Sequence, residues 1–526
     1  MVDLITESRS LSATRRCLVV NEILERIVRE LLPETGHVLA FSRTCRAFLE
    51  LGLDVLWSHL DGLDPVDYVL ENKSSDELSR CDPEEIGRVP TSDVWSRLYG
   101  YTKRVRSIEA ASGSVETDML QFWSINKPYR FIFPNLQKLI WEQFSGDGDA
   151  VYGPLFVSPK LKEVSVTLAS CVPNKVAIQW LDSLRIIATD LREFKFDNSA
   201  QSSTRTCIDA LSSAIFSWER LTRLSLCDSQ GSIPLGPMQL NYLARLDSLK
   251  TLEVALDPKI LPESLSSEQS FFPALESLKL EARNIDSLAV VKSIIHQVQS
   301  PNLFSLHITT TEQPTVLDIC AVIEVVKLRK QLREFTMELS DSAVKRDSSD
   351  PFVLSNKTLE PLLTLKSLRK VVIATYPVEI TTEFLEKMGD SWPELGELVL
   401  GVDPPCELID RPLSRLRLTE LEPFIEKYPK LHTLGLLMAL DLPAVSDLPK
   451  RRILSRQNLS HFQLYVGHPA RMEEIENPYP LAAYLSGVFG DVKVMYDFDC
   501  KIPKLRKALD LFSSVRTQER TNAPES

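Results

Sequence analysis

Leu275–Ile308 reads LESLKLEARNIDSLAVVKSIIHQVQSPNLFSLHI. It opens and closes on one frame: a leucine, two residues, an apolar residue, one residue, and a second apolar residue. Leu278 and Leu280 in the first copy, and Leu306 and Ile308 in the second, alternate with polar neighbours. That is the period of a half-buried β-strand. Between the copies the period changes. Leu288, Val291, Ile295 and Val298 recur at three- and four-residue steps, the apolar stripe of an amphipathic helix. Leu275 and Leu303 stand 28 residues apart, one strand and one helix.

The frame recurs in both directions from this stretch. It appears as NLQKLIW, KLKEVSV, DLREFKF, RLTRLSL, SLKTLEV, ALESLKL, NLFSLHI, QLREFTM, SLRKVVI, ELGELVL, KLHTLGL and NLSHFQL. The leading leucines are Leu136, Leu161, Leu191, Leu221, Leu249, Leu275, Leu303, Leu332, Leu368, Leu395, Leu431 and Leu459, at spacings of 25 to 36 residues. A weaker copy, RVRSIEA, leads with Val105, and FGDVKVMYDF over 489–498 suggests one more strand. Pro134, Pro159, Pro273, Pro301, Pro393 and Pro429 stand two residues ahead of six leucines, where proline breaks the preceding element. Helical stripes also occur at Ile208, Leu211, Ile215 and Trp218, and at Ile319, Val322, Ile323 and Val326. The longer gaps hold inserted loops, DSAVKRDSSDP and VDPPCELIDRP, and IPKLRKALDLFSSV offers a closing helix.

A period of this length, kept for twelve copies, predicts a solenoid with a curved parallel sheet and outer helices. An ordinary α/β fold also alternates strands and helices but does not keep one frame so long. The pattern is leucine-rich-repeat-like with irregular turns. Regular repeats carry Asn or Cys three residues past the last strand apolar; here those positions hold Phe144, Ala169, Ser199 and Ser229, and no copy has either residue.

Residues 17–60 follow another rule. Ile23, Leu24, Ile27, Val28, Leu31 and Leu32 have helical spacing, and Pro33 and Gly36 end that helix. Val38, Leu39 and Phe41, then Phe48, Leu51, Leu53 and Trp57, complete a three-helix unit. A unit of this size is too small to be stable comfortably alone and calls for a docking partner. Leu18, Ile23-Leu24, Ile27, Leu39, Cys45-Arg46 and Leu56-Trp57 fall in the order of the F-box pattern, and the unit resembles an F-box. Asn21 or its neighbour stands where the family has its opening proline, a residue that packs on the adaptor. RTCRAFLELGLDVLWSHLDGLDPV and DVWSRLYGYTKRVRSIE resemble the large F-box families of basidiomycete fungi, over about residues 17–110. The resemblance implies a box that binds a Skp-family adaptor, through it a cullin, and repeats that hold a protein substrate for ubiquitination. Leu18, Val20, Ile23, Leu39 and Trp57 are the candidate adaptor-binding residues.

The expected fold class is thus α/β, an N-terminal three-helix F-box followed by a leucine-rich-repeat-like solenoid. The expected division is a disordered tail at 1–16, the box at 17–60, and a connector at 61–100 with a polar loop and a helix from Asp93 to about Tyr101. The solenoid takes 101–515 and a second disordered tail 516–526. Substrate would meet the concave sheet face, where the polar strand positions are Lys138, Glu163, Glu193, Arg223, Glu334, Lys370 and Glu397. They carry both signs and no aromatic stripe, so they specify no ligand class.

Charge and motifs exclude other classes. The formal net charge is -12, which argues against a nucleic-acid partner; Lys450-Arg451-Arg452 is a short solvated cluster. Nine cysteines without a CxxC fit a reducing compartment. MVDLITESRSLSATRR has no signal-like apolar core, and no stretch reaches the roughly 18 apolar residues of a membrane helix. Cytosol or nucleus is expected, with the sequons at Asn72, Asn356 and Asn458 unused. His37, His59, His296, His307, His432, His461 and His468 are dispersed, with no HExxH, GxSxG or Walker loop. GDGD at 146–149 reads as a turn, and Asp497 and Asp499 as exposed carboxylates. The expectation is a binding protein, not an enzyme, with no cofactor and no metal. The alternative to a ligase subunit is a protein-binding scaffold whose box is vestigial or serves another complex.

Overall fold

The computed structural model describes residues 21–31, 34–71, 92–111, 117–143, 148–169, 171–198, 205–226, 234–256, 271–312, 314–344, 354–374, 378–401, 427–428, 430–436, 462–466, 479, 482–485, 492–495 and 507–512. It falls into two compact units, Met1–Ile233 and Pro234–Ser526.

The first unit begins with three helices, α1 (Asn21–Glu30), α2 (Thr35–Ser42) and α3 (Arg46–Leu56). Val28, Val38 and Val55 form their core, with Leu31, Phe41 and Leu56 packed against it. Phe41 and Phe48 stack at 4.4 Å. Helices α2 and α3 nearly touch at Gly52, where a Cβ would lie 1.7 Å from Ser42 Oγ and 2.8 Å from Ser42 Cβ. The Ser42 hydroxyl donates to the Val38 carbonyl at 2.6 Å, so its polarity is satisfied inside α2.

Strands and helices then alternate: β1 (His59–Leu60), α4 (Asp64–Glu71), α5 (Ser92–Thr102), β2 (Ser107–Ala111), α6 (Thr117–Asn126) and β3 (Lys138–Gln143). A 3₁₀ stretch over Gly148–Phe156 precedes β4 (Glu163–Leu168), α7 (Asn174–Ile187), β5 (Glu193–Asn198), α8 (Arg205–Ile215) and β6 (Arg223–Ser225). The six strands are parallel and lie in chain order. Their inward rows follow the frame. Ile108, Leu139, Val164, Phe194 and Leu224 are neighbours in register, and all are buried. The residues leading the frame, Val105, Leu136, Leu161, Leu191 and Leu221, are fully buried too. Each such large aliphatic contributes about 1.5–3 kcal/mol on burial.

The second unit repeats this plan. It contains β7 (Pro234–Leu235), α9 (Pro237–Leu243), β8 (Thr251–Leu256), β9 (Ser277–Ala282), α10 (Ile285–Gln297), β10 (Ser305–Glu312), α11 (Val316–Val326) and β11 (Glu334–Val344). There follow β12 (Leu354–Ser355), α12 (Asn356–Leu359), a 3₁₀ turn at Glu360–Thr364, β13 (Lys370–Ala374), β14 (Val378–Glu379) and α13 (Thr382–Ser391). The last strands are β15 (Glu397–Leu400), β16 (Thr433–Leu436), β17 (Phe462–Val466) and β18 (Val492–Met495). From β8 the parallel order is β8-β9-β10-β11-β13-β15-β16-β17-β18, with β7 beside β8 and a separate pair, β12 with β14. Leu252, Leu278, Leu306, Phe335, Val371, Leu398 and Leu434 form the first inward row.

Helix ends are specified locally. Asn284 accepts from the Ser287 N–H at the start of α10. Thr315 and Asp318 cap one another at the start of α11, and Thr381 caps α13. Arg329 donates to the carbonyls of Ile295, His296 and Val298 at the end of α10, as suits a cation at a helix C-terminus.

Without an asparagine ladder, backbone bonds link the repeats just ahead of each strand. The carbonyl of Arg106 accepts from the N–H groups of Gln137 and Lys138; that of Gln137 accepts from Lys162 and Glu163; that of Lys162 accepts from Arg192 and Glu193. In the second unit Lys250, Glu276, Phe304, Arg333, Arg369 and Gly396 each accept a similar pair. The acceptor is always the residue after the one leading the frame.

All twelve frames form strands, as do the copy led by Val105 and the stretch at 489–498. Several elements lie outside the sequence reading, the two-residue β7 among them. The strand β1 is two residues long, too short to show alternation, and α4, with Val66 fully buried, lies inside the region read as connector. The pair β12 and β14 is equally short. One register also departs from the frame: Leu434 lies beside Leu464, not Phe462, a shift of two residues. The tails, Lys450–Arg452, Asn72, Asn458, Asp497, Asp499 and the connector's polar loop lie outside the described residues.

Candidate functional site

The N-terminal helices present apolar side chains they do not use themselves. On α1, Leu24 and Val28 are buried while Ile23 and Ile27, one position earlier in each case, are 40% and 39% exposed. Leu39 on α2 is 51% exposed and Leu49 on α3 40%. Of the five candidate adaptor residues, Ile23 and Leu39 thus project into solvent, and Leu18 and Val20 lie outside the described residues. Ile27 and Leu49 join the exposed set; the helical period of α1 already marks Ile27.

Trp57 stands elsewhere. It is half-buried and stacks on Tyr101 at 4.8 Å. It also takes the leading place of a repeat frame: Ser58 follows it, and the Ser58 carbonyl accepts from Arg106 and Ser107 at 2.9 Å each. The residue that closes the box pattern therefore opens the strand array. Arg104 joins the same elements, bonding to Glu50 at 2.5 Å and to Asp54 on α3.

The seven candidate substrate residues all fall in the first outward row of the strands. Lys138, Glu163, Glu193 and Arg223 are consecutive in register in the first unit. Glu334, Lys370 and Glu397 are consecutive in the second. Each is already engaged. Lys138 pairs with Glu163 at 3.7 Å, Arg223 with Glu193 at 3.6 Å, and Lys370 with Glu397 at 3.0 Å. Ser305 Oγ donates to Glu334 at 2.9 Å. The mixed signs that hid a ligand class in the sequence are cross-strand pairs.

A second outward row, at the fifth position of the frame, adds further polar groups to this face. Lys279 and Glu253 pair at 2.5 Å. His307 Nε2 lies 3.3 Å from Glu338 on β11, and also 3.3 Å from the Thr309 hydroxyl. His307 faces out as its frame position requires, but is held by these neighbours. The hydrogen bond from His307 holds the Glu338 carboxyl below the usual carboxylate range, against the opposing effect of partial burial, with Lys370 and Lys279 adding to the pull. On the strands that follow, the positions level with His307 are less polar and nearly covered: Thr336, Val372 and Val399 are 7%, 5% and 8% exposed. The charged strip over β8–β13 is a polar surface whose charges pair across strands. GDGD leads into the 3₁₀ stretch, where Asp149 is buried and accepts from Thr117. Among the described residues no helix is long and apolar enough to cross a membrane.

No family model and no curated protein matches the chain. Among solved structures, the complex of Rad7 and Elc1 from yeast is similar over 77% of this chain and 98% of that chain, with 13% identity and a TM-score of 0.32. Likeness at that level carries no argument; the α/β fold with its parallel strands stands on the registers above.

Proposed function

We propose that the chain is the substrate-recognition subunit of a Skp-cullin-F-box ubiquitin ligase, acting by binding and without catalysis of its own. The N-terminal helices bind a Skp-family adaptor, and the outward strand face holds a protein substrate, in cytosol or nucleus. The observation that carries the reading is the exposed set Ile23, Ile27 and Leu39 on helices whose own core is complete without them. The order of box-like residues ahead of a repeat array supports it.

The test is co-purification of the full chain with a recombinant Skp-family adaptor. Wild type is expected to form a stable complex. The double variant Ile23→Asp, Leu39→Asp is expected to lose it while keeping its melting profile. Truncating at residue 60 is the wrong control, because it removes Trp57 and β1 from the strand array. A folded wild type that binds no adaptor overturns the reading. Asn21 at the proline position and Trp57 packed on Tyr101 favour the second reading in that event, a scaffold whose helices serve another complex.

A further inference from the structure

The first edge of the strand array gathers three side chains that the repeat does not explain. β1 runs beside β2 with His59 level with Ser107 and Leu60 with Ile108. Leu60 and Ile108 are buried, so the pleat turns His59, Asp61, Ser107 and Glu109 to the outward face. There His59, Asp61 and Glu109 bring one imidazole nitrogen and two carboxylate oxygens within 4.8 Å of one another. His59 Nε2 and Asp61 Oδ1 are 2.7 Å apart.

The charge arrangement here reverses that of the array. Glu163, Glu193 and Glu397 each meet a lysine or arginine on the adjacent strand. At the edge, Asp61 directly follows β1 and its carboxylate lies within 4.8 Å of that of Glu109, and among the described residues no lysine or arginine pairs with either. On the far side of Glu109 the register offers Ile140, while Lys138 is drawn to Glu163. Carboxylates facing each other across neighbouring strands repel, and a dication between them removes that repulsion.

We propose that His59, Asp61 and Glu109 bind a divalent transition-metal ion of the zinc type. Two carboxylates match its charge, and the imidazole donor selects it over magnesium or calcium, which prefer oxygen alone. The exposure of all three residues leaves the remaining positions to water. The ion cross-links a two-residue edge strand to its neighbour at the point where the N-terminal helices pass into the strands. Motif search finds no sign of it, because Glu109 arrives from another strand, 48 residues after Asp61. The inference stands independently of the adaptor reading.

The experiment uses the full chain, dialysed against chelator and titrated calorimetrically with zinc or magnesium, with thermal melts in parallel. Other histidines and cysteines bind zinc as well, so the readout is the difference between wild type and the single variants His59→Gln and Glu109→Gln. Each variant is expected to lose one zinc equivalent or to weaken it by about tenfold or more. The zinc-dependent rise in melting temperature is expected to disappear with it, and magnesium to produce neither effect. If a variant melts early without metal, Asp61→Asn supplies the same comparison. Equal zinc stoichiometry and affinity in wild type and variants overturns the proposal, as does magnesium acting as well as zinc.

Discussion

The helices over Asn21–Leu56 and the strands that follow bury their apolar residues by different logic. The helices close on a small core of Val28, Val38 and Val55 and leave Ile23, Ile27, Leu39 and Leu49 in solvent. The strand array leaves less unused: among the described residues its first inward rows are apolar and buried, and several of its outward charges pair across strands. An array gains its core from its own next copy, whereas a short helical unit has no next copy and completes its burial on a partner. The contrast separates a part that leaves apolar side chains in solvent from a part that covers most of its own.

The hardest blow to that contrast is Leu278→Asp. Leu278 is fully buried, with Leu252 and Leu306 beside it in register. The substitution forfeits about 1.5–3 kcal/mol of burial and places an unpaired carboxylate in an apolar row. The combined cost exceeds about 4 kcal/mol. Loss of the cooperative urea transition, or insoluble expression, is the expected result. A soluble variant melting like wild type means that the rows are not a continuous core.

Two glycines sharpen the comparison at lower cost. At Gly153 a Cβ would lie 1.7 Å from the Trp180 ring. That indole is fully buried, donates to the Ala150 carbonyl at 2.9 Å and lies against Trp141. Gly153→Ala is expected to cost about 3 kcal/mol, because a locked tryptophan has nowhere to rotate. At Gly52 the obstacle is the Ser42 side chain, whose hydroxyl can turn away although its Cβ at 2.8 Å cannot. Gly52→Ala is expected to cost about 1–2 kcal/mol, with faster hydrogen exchange confined to α2 and α3. Equal costs, or exchange spreading through the strands, would erase the distinction between the parts.

The repeat was legible because its signal is local: a leucine and two alternating apolars name a strand within six residues. Ile23 and Leu39 stood out through the F-box resemblance, and both are exposed. What stayed hidden depends on register. The pairing of Lys138 with Glu163 needs two strands placed side by side, as do the bond from His307 to Glu338 and the gathering of His59 with Glu109. Trp57 answers to two patterns. It satisfies the closing position of the box pattern and the leading position of the repeat frame at once, and only the bonds from Arg106 and Ser107 to Ser58 show the second role.

Within the outward face, Glu338 sets a pH dependence. Its native pKa is depressed, first by the hydrogen bond from His307. The stabilisation is therefore complete above the unfolded value of about 4.3 and is lost as pH falls through the lower native value. The carboxylate side chain is 40% exposed, so screening keeps the effect below about 1 kcal/mol. Glu338→Gln is expected to flatten the acid limb of the stability profile and leave the neutral plateau slightly lower. Superimposable acid limbs remove His307 and Glu338 as an interacting pair.

The smallest effect decides what the outward row is free to do. Lys138 and Glu163 sit 3.7 Å apart with side chains 46% and 45% exposed. A double-mutant cycle to alanine is expected to give a coupling of about 0.2–0.5 kcal/mol. Raising salt from about 0.1 M to 1 M shortens the Debye length from about 10 to 3 Å and should erase most of it. Lys279 with Glu253, at 2.5 Å and 36% and 26% exposed, should hold nearer about 1 kcal/mol and survive salt better. Weak coupling at the first pair means that a substrate charge can replace either member at little loss, so the row can serve as a binding face although its charges are matched. A coupling well above about 1 kcal/mol at Lys138 and Glu163 would commit those charges to each other, and substrate contact would then have to fall elsewhere on the strands.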